Sequence, residues 1–408
     1  MVLGKPGSTT RGAGGPQGPI LRFDAILRQL QPDLSTAPVA PAAVTCSAAG
    51  GVVNRKVVMK RTPAGEPQAS DFEMVSEVLP PLGDGEMLLR TRWLTLDPYM
   101  RGLGSNEDVK QFGGFMREEK NVGSPVIGGT VSEVVESRAS GWSRGDLVVG
   151  YYGWQEYSIG TARDVQWNIP AWPIERWDLS LGPPSTALGI LGMTGYTAYF
   201  GLFEVAKLKP GETLVVSAAS GAVGQVVGQL AKIHGCRAVG IAGGPKKCAY
   251  VVNELGFDAC IDYKDKSGDL QAALRAAVPG GIDVYFENVG GDVLEAVIPL
   301  LNKGSRVPVC GWISQYNGAT GKSPLARLGE VGMKRLGGKA KSPEGFAFFS
   351  FNMFVPRFPE ALRTLSAWIK EGKLKYLESV TEGLDGSIGA FMGMLRGENF
   401  GKTMVKVS

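Results

Sequence analysis

Glu212-Thr-Leu-Val-Val-Ser-Ala-Ala-Ser-Gly-Ala-Val-Gly-Gln-Val-Val-Gly-Gln-Leu-Ala-Lys-Ile-His-Gly235, continued by Cys236-Arg-Ala-Val-Gly-Ile-Ala-Gly-Gly-Pro-Lys-Lys247, is the stretch that decides the fold. Leu214, Val215 and Val216 form an unbroken apolar, largely β-branched run, which reads as a parallel strand buried on both faces. A turn of tiny residues follows, Ala219-Ser-Gly221-Ala-Val-Gly224. Val226, Val227, Leu230 and Ile233 then recur at helical spacing until Gly235 stops them. In such a unit the turn lets backbone approach a pyrophosphate, while the helix N-terminus offers it free N–H groups and the positive end of the dipole. Ala219 takes the place of the first glycine in G-x-G-x-x-G, giving the variant A-x-G-x-x-G. Alone the motif is weak; the strand before it and the helix after it make it a dinucleotide site.

The second strand of the unit, Arg237–Ala242, tells which dinucleotide. An NAD site places a carboxylate about 20 residues on, at the end of that strand, to hold the ribose hydroxyls. Here the strand runs into Gly243-Gly244-Pro245-Lys246-Lys247. No carboxylate repels a 2′-phosphate there, and two ammonium groups can neutralise one. Solvated surface lysines after a turn are the alternative; NADP(H) is the favoured reading.

Composition narrows the rest. A chain of 408 residues, 44% hydrophobic and 20% charged, can hold about two globular domains with a large core. A net charge of +4 is too small to imply nucleic acid or an anionic membrane as partner, and no apolar run is long enough for a membrane span. Five cysteines with no C-x-x-C argue against a disulfide framework or a cysteine-rich zinc cluster, and they suit a reducing, cytoplasmic compartment. The single histidine, His234, ends the first helix of the unit, where a positive ring complements the dipole. One histidine excludes multi-histidine metal sites, so no metal is expected.

Residues 1–51 carry eight Gly and six Pro and read as a low-complexity extension. It is an inert tail, an error in the gene model, or an acid-poor organellar transit peptide. Residues 52–185 read as a β domain of short strands (56–59, 86–94, 126–135, 146–152) punctuated by glycine turns, with a Pro/Trp-rich exit over 169–173. Over 186–372 strands and helices alternate, the pattern of a doubly wound α/β sheet. Strands are expected at 259–261, 284–286 and 306–310, and helices at 194–204, 246–255, 270–278, 293–301 and 359–371. Residues 323–345 are Lys/Gly-rich and read as a loop. The alternating Lys402–Val407 is a strand that rejoins the β domain, which residues 373–408 thus complete.

Seven blocks carry a family resemblance: LDPYMRG (Leu96–Gly102), VVGYYGWQEYS (Val148–Ser158), GMTGYTAYFGL (Gly192–Leu202), AASGAVG (Ala218–Gly224), DVYFENVGG (Asp283–Gly291), VCGWISQYN (Val309–Asn317) and GENFGKT (Gly397–Thr403). The chain resembles the zinc-independent medium-chain dehydrogenase/reductases from about Asn54 to Val407. Within them it is similar to the NADPH-dependent double-bond reductases: plant and bacterial alkenal and curcumin reductases and animal prostaglandin reductases. The resemblance implies a Rossmann doubly wound sheet plus a GroES-like β-rich substrate domain, a homodimer, and reduction of enals and enones. Where zinc-dependent relatives have a Gly-His-Glu run, this chain reads Gly128-Gly129-Thr130. Quinone reduction or NADP-linked alcohol oxidation on the same scaffold is an enzyme alternative, and a non-catalytic NADPH-binding structural or regulatory protein is another.

Reducing an α,β-unsaturated carbonyl by hydride addition at the β-carbon builds negative charge on the carbonyl oxygen. Without a metal, hydrogen-bond donors must meet that charge, and a proton must reach the α-carbon. By resemblance Tyr316 sits at cofactor and substrate and Tyr99 lines the substrate cleft; a loop tyrosine and a core tyrosine are the alternatives. The family tyrosine that precedes a Lys-Arg pair is replaced here by Met333. The resemblance further implies pyrophosphate contacts from Gly221, Ala222, Val223 and Gly224. It places Gly243, Lys247 and Tyr263 at the adenosine ribose and its 2′-phosphate. Asn288 is to meet the cofactor beyond the fourth strand, and Cys310, Tyr316 and the run Phe346-Ala347-Phe348 go with the nicotinamide half. Asn399 is a polar cofactor contact or a turn residue before Gly401. Cys310 itself reads as a small buried residue and not a nucleophile.

Overall fold

A computed structural model describes residues 51–101, 119–166, 172–265, 267–317, 324–335 and 346–408. The extension over 1–51 lies outside these residues but for Gly51, as does the Pro/Trp-rich exit up to residue 171. Strands β1 (Val53–Met59) and β2 (Phe72–Val78) pair as an antiparallel ribbon. The centre of the larger sheet is β3 (Glu86–Thr95), paired antiparallel on one edge with β4 (Thr130–Ser137); beyond β4 lie β5 (Leu147–Gly150), then β7 (Glu175–Arg176). The other edge of β3 is divided: Glu86–Arg90 pair with β6 (Tyr157–Thr161), and Trp93–Thr95 pair with a strand from the far end of the chain. Trp154, fully buried, packs edge-on to Phe391 at 5.6 Å and anchors the core beneath this sheet.

After helix α1 (Met193–Phe200) the chain alternates. It passes through β8 (Thr213–Ser217), α2 (Gly224–Ile233), β9 (Arg237–Ala242), α3 (Pro245–Asn253), β10 (Ala259–Asp262) and α4 (Leu270–Ala277). It continues through β11 (Ile282–Phe286), α5 (Gly291–Val297), β12 (Leu301–Val309), α6 (Pro324–Arg335) and β13 (Phe346–Phe348). The strands are parallel, in the order β10-β9-β8-β11-β12-β13. That order reverses between β8 and β11, so the crevice at the strand C-termini opens there, which is where an open α/β sheet binds its ligand. Leu214, Val215 and Val216 are all fully buried, as a both-faces-covered strand requires. Helix α7 (Phe358–Lys370) leads to β14 (Glu378–Glu382), α8 (Ser387–Leu395) and β15 (Lys402–Lys406). β15 lies parallel to β14 and antiparallel to β3, inserting the chain end into the β-rich sheet.

One expectation is overturned. The Lys/Gly-rich segment over 323–345 contains α6 where a loop was expected. Pro324 pre-sets the first helical turn, and Leu325 and Leu328, one turn apart, face the core formed with Tyr285, Val293 and Val309. Arg327 adds an ion pair to Glu295 on α5. Burial on one face overrode the loop-like composition.

Candidate active site

The crevice at the switch point is a cleft of ≈ 1830 Å³ that reaches from the Rossmann sheet to the C-terminal segment and β-rich sheet. One end is made of backbone. Ala218, at φ +52°, turns the chain out of β8. At Gly224 a Cβ would stand 2.2 Å from the Ala218 carbonyl oxygen, so only glycine lets α2 start this close to the strand. At Gly240 of β9 a Cβ would stand 2.7 Å from the Ala219 Cβ. The extra methyl of the A-x-G-x-x-G variant is therefore taken up by a glycine on the neighbouring strand. The turn is also tied to the chain end: Gly401 N–H donates to Ser220 O at 2.7 Å. Gly221, Ala222, Val223 and Gly224 all line the cleft.

At the end of β9, Gly243 is hemmed by the Tyr263 ring, 2.9 Å from where a Cβ would lie, and Gly244 takes φ +96° to open α3. Gly243, Lys247 and Tyr263 line the cleft, whereas Lys246 is exposed and does not. The lysine pair is thus split by the helix. The Lys247 ammonium donates to Gly397 O at 2.6 Å and makes no ion pair with a described carboxylate. Burial, then the charge of Lys264, lower its pKa. It is a half-desolvated cation with spare donors, poised to gain from an anion.

The middle of the cleft is organised by a residue the sequence reading passed over. Glu287, fully buried at the end of β11, accepts from Val289 N at 2.7 Å, Gly290 N at 3.0 Å, and the hydroxyls of Ser217 and Tyr285, each at 3.1 Å. Desolvation raises its pKa. Asn288 follows, its amide donating to Ser217 O at 2.8 Å, so β8 and β11 are clamped where the cleft opens. Cys310 and Tyr316 line the cleft beside them. Burial, then Glu287, push the Cys310 thiol up to about 12, so it is a protonated thiol and no nucleophile at neutral pH. Burial, then Cys310, hold the Tyr316 phenol above its ordinary value, and it stays an O–H donor.

The far end is made of side chains. Tyr99 and Tyr151 hydroxyls meet at 2.6 Å, both in the cleft wall. Tyr99 stands on a 3₁₀ turn, Pro98–Met100, fastened from below: Lys402 Nζ donates to Leu96 O at 2.8 Å and to Asp97 Oδ1 at 2.7 Å, and Thr95 Oγ1 donates to Asp97 Oδ2 at 2.6 Å. Tyr151 was missed although it stands in the quoted block VVGYYGWQEYS; an aromatic doublet between a strand and a glycine was the available signal.

Two placements differ from expectation. Of Phe346-Ala347-Phe348 only Phe348 lines the cleft, and the lining continues through Phe349, Ser350 and Phe351 to Met353. Phe346 instead packs in the core that includes Leu325 and Leu328 of α6, and Ala347 is exposed. The helix that replaced the expected loop is the reason. Asn399 lines the cleft, but its amide also donates to Gly401 O at 2.9 Å, the turn role held open as the alternative.

Known proteins can now be set beside this geometry. Residues 55–167 match the family described as "N-terminal domain of oxidoreductase", and residues 222–367 match "Zinc-binding dehydrogenase". Among the described residues no cluster of three or more His, Cys, Asp or Glu could hold a metal ion. The chain is 41% identical to the NADPH-dependent curcumin reductase of Escherichia coli, across 87% of this chain and 97% of that protein. It is 39% identical to the 2-alkenal reductase (NADP(+)-dependent) of Nicotiana tabacum, across 88% and 98%. The solved structure of CurA from Vibrio vulnificus in complex with NADPH is 39% identical, covers 87% of this chain and 99% of its own, and superposes with a TM-score of 0.73. With relatives of this identity covered almost from end to end, the chain belongs to the medium-chain dehydrogenase/reductases, a Rossmann domain joined to a GroES-like β-rich domain, in the branch of NADPH-dependent alkenal and enone reductases.

Proposed function

We propose that this protein is an NADPH-dependent reductase of the conjugated C=C bond of α,β-unsaturated aldehydes and ketones. One observation carries the reading: a glycine-built turn, a half-buried Lys247 and four tyrosines share a single cleft. The cradle fits the cofactor, because at Gly224 a side chain would collide with backbone and at Gly243 with the Tyr263 ring, while at Gly221 it would crowd the Ala218 carbonyl. Bound there, NADPH supplies the hydride that reduces the β-carbon. Gly221–Gly224 and the N-terminus of α2 hold the pyrophosphate, and Lys247 with Tyr263 holds the 2′-phosphate and ribose. Asn288, Cys310, Phe348 and Asn399 flank the remainder. Tyr316, kept protonated by burial, donates a hydrogen bond where enolate charge develops, and the Tyr99–Tyr151 pair orients the carbonyl end of the substrate. A protonated Cys310 is no nucleophile, and the reaction we assign calls on no metal.

We assign residues 52–185 with 373–408 to the substrate-side domain and 186–372 to the cofactor-side domain. Family resemblance supports a homodimer. Cysteine usage supports a cytoplasmic location, an organelle being the alternative if residues 1–51 are a transit peptide. No helix among the described residues is long and apolar enough to cross a membrane. The test is loss of NADPH absorbance with a short enal, an aryl enone and a quinone, repeated with NADH. Enone turnover with a strong NADPH preference is the expected result. Quinone-only turnover would move the protein to quinone reductases, and tight NADPH binding without turnover would make it a non-catalytic binder.

A further inference from the structure

Two thiols that are not part of the cleft lining face each other behind its adenosine end. Cys260 on β10 donates its S–H to the Cys248 sulfur at 3.0 Å, and both residues are half-buried and free. Cys248 follows Lys247 in the first turn of α3, where its N–H donates to Gly244 O at 3.2 Å. The same turn is already held to β10, since Gly244 N–H donates to Asp262 Oδ1 at 2.7 Å. The hydrogen bond from Cys260 lowers the pKa of the Cys248 thiol, while donation and burial raise that of Cys260. Cys248 is thus the readier thiolate and Cys260 the resolving partner.

We propose that Cys248 and Cys260 are a redox modification site, closing to a disulfide under peroxide and thereby weakening the grip of Lys247 on NADPH. The second half of this statement rests on the function proposed above. The Cys248 thiolate attacks a peroxide oxygen, the O–O bond breaks, and a sulfenic acid and hydroxide form. The Cys260 thiol then attacks the sulfenic sulfur, the S–O bond breaks, and water leaves. Two thiols lose two electrons and two protons, and one hydrogen peroxide becomes two waters. A disulfide needs its sulfurs about 2.05 Å apart, so closing from 3.0 Å draws the first turn of α3 toward β10 by roughly the difference. Lys247, the residue before, sits on that same turn, so the closure bears on its contact with Gly397 O. Because the ammonium is the group that separates NADPH from NADH, the bond acts on that preference and leaves the tyrosine end untouched.

The experiment treats the reduced, full-length protein with one equivalent of hydrogen peroxide, blocks free thiols with N-ethylmaleimide and digests it. Trypsin cuts after Lys247 and Lys264, so both cysteines lie in the fragment 248–264. That fragment is expected two hydrogens lighter and unlabelled. When cut again after Glu254, its halves are expected to stay joined until dithiothreitol parts them. In parallel, NADPH affinity read from the cofactor's own fluorescence is expected to weaken about tenfold, reversibly, as a charge-assisted contact is lost. Cys260→Ser, which cannot close the bond, is expected to keep its affinity under peroxide. A fragment 248–264 that still takes two labels, or that carries a sulfinic acid at Cys248, would overturn the site. A mapped bond with NADPH affinity unchanged would overturn the coupling. If instead the reduced protein bound NADH as well as NADPH, the functional reading would fall while the mapped bond still stood.

Discussion

The two ends of the cleft are built from different material. At the nucleotide end the walls are main chain: Gly224 and Gly240 exist because a neighbouring atom already occupies the place of their Cβ. At the substrate end the walls are side chains: the Tyr99–Tyr151 hydroxyl pair, the segment 348–353, and a buried Lys402–Asp97 ion pair, both partners under 5% exposed, underneath. Backbone recognition tolerates almost no substitution and is read as a motif. Side-chain recognition tolerates many, so the same scaffold can change substrate while keeping its cofactor.

The sharpest way to break this contrast is at Gly224. Gly224→Val puts atoms into the Ala218 carbonyl, and we expect it to cost more than about 4 kcal/mol and to abolish NADPH binding; an unchanged urea midpoint would show that the turn yields. Next comes the concealed charge under the substrate end. Burial raises the Glu378 carboxyl from its ordinary 4.5 to about 7, with nearby Lys402 pulling it down. The folded protein therefore keeps this proton longer than the unfolded chain does. The stability it contributes is complete below pH 4.5 and is lost as pH rises through about 7. Glu378→Gln is expected to flatten the stability profile across that window by about 3 kcal/mol, and an identical profile would place the titration elsewhere.

Smaller effects sharpen the assignment of roles. Tyr316→Phe should lower kcat for an enone about 100-fold and leave NADPH binding intact, since it removes a donor needed only as charge develops. Equal losses in both would make Tyr316 a packing residue. Lys247→Ala should raise KM for NADPH about 30-fold, near 2 kcal/mol, and leave KM for NADH unmoved. The smallest change is expected from Tyr151→Phe, about fivefold in enone kcat/KM, which tests whether its partner Tyr99 needs that hydroxyl to be oriented.

What was legible in the sequence follows the same division. The β8–turn–α2 unit could be read because burial on both faces demands apolar runs and close approach demands tiny residues, and both leave a mark in the order of amino acids. The split of Lys246 from Lys247 could not, because it depends on which side of α3's first turn meets the cleft. Tyr99 and Tyr316 came from resemblance, since a lone tyrosine in a loop has no period. Glu287 looked like one more charge after an apolar strand, and its burial follows from hydrogen bonds to Ser217, 70 residues away. Helix α6 was hidden by the lysine- and glycine-rich composition of its stretch, and Phe346 was misplaced with it. Strand β2 and helix α8 were not anticipated at all: β2 alternates weakly, and α8 is apolar around most of its girth.

The insertion of β15 between β14 and β3 has a consequence for how the molecule is made. Met404 pairs with Thr95, and Lys402 reaches back to Leu96, 306 residues earlier. During synthesis the β-rich domain leaves the ribosome first, yet the Trp93–Thr95 half of the β3 edge stays open until β15 emerges. Meanwhile the Rossmann sheet, whose strands pair with near neighbours in the chain, can fold between the two halves of its companion. The domain begun first is finished last, and its exposed strand edge is a standing invitation to wrong partners for the whole interval.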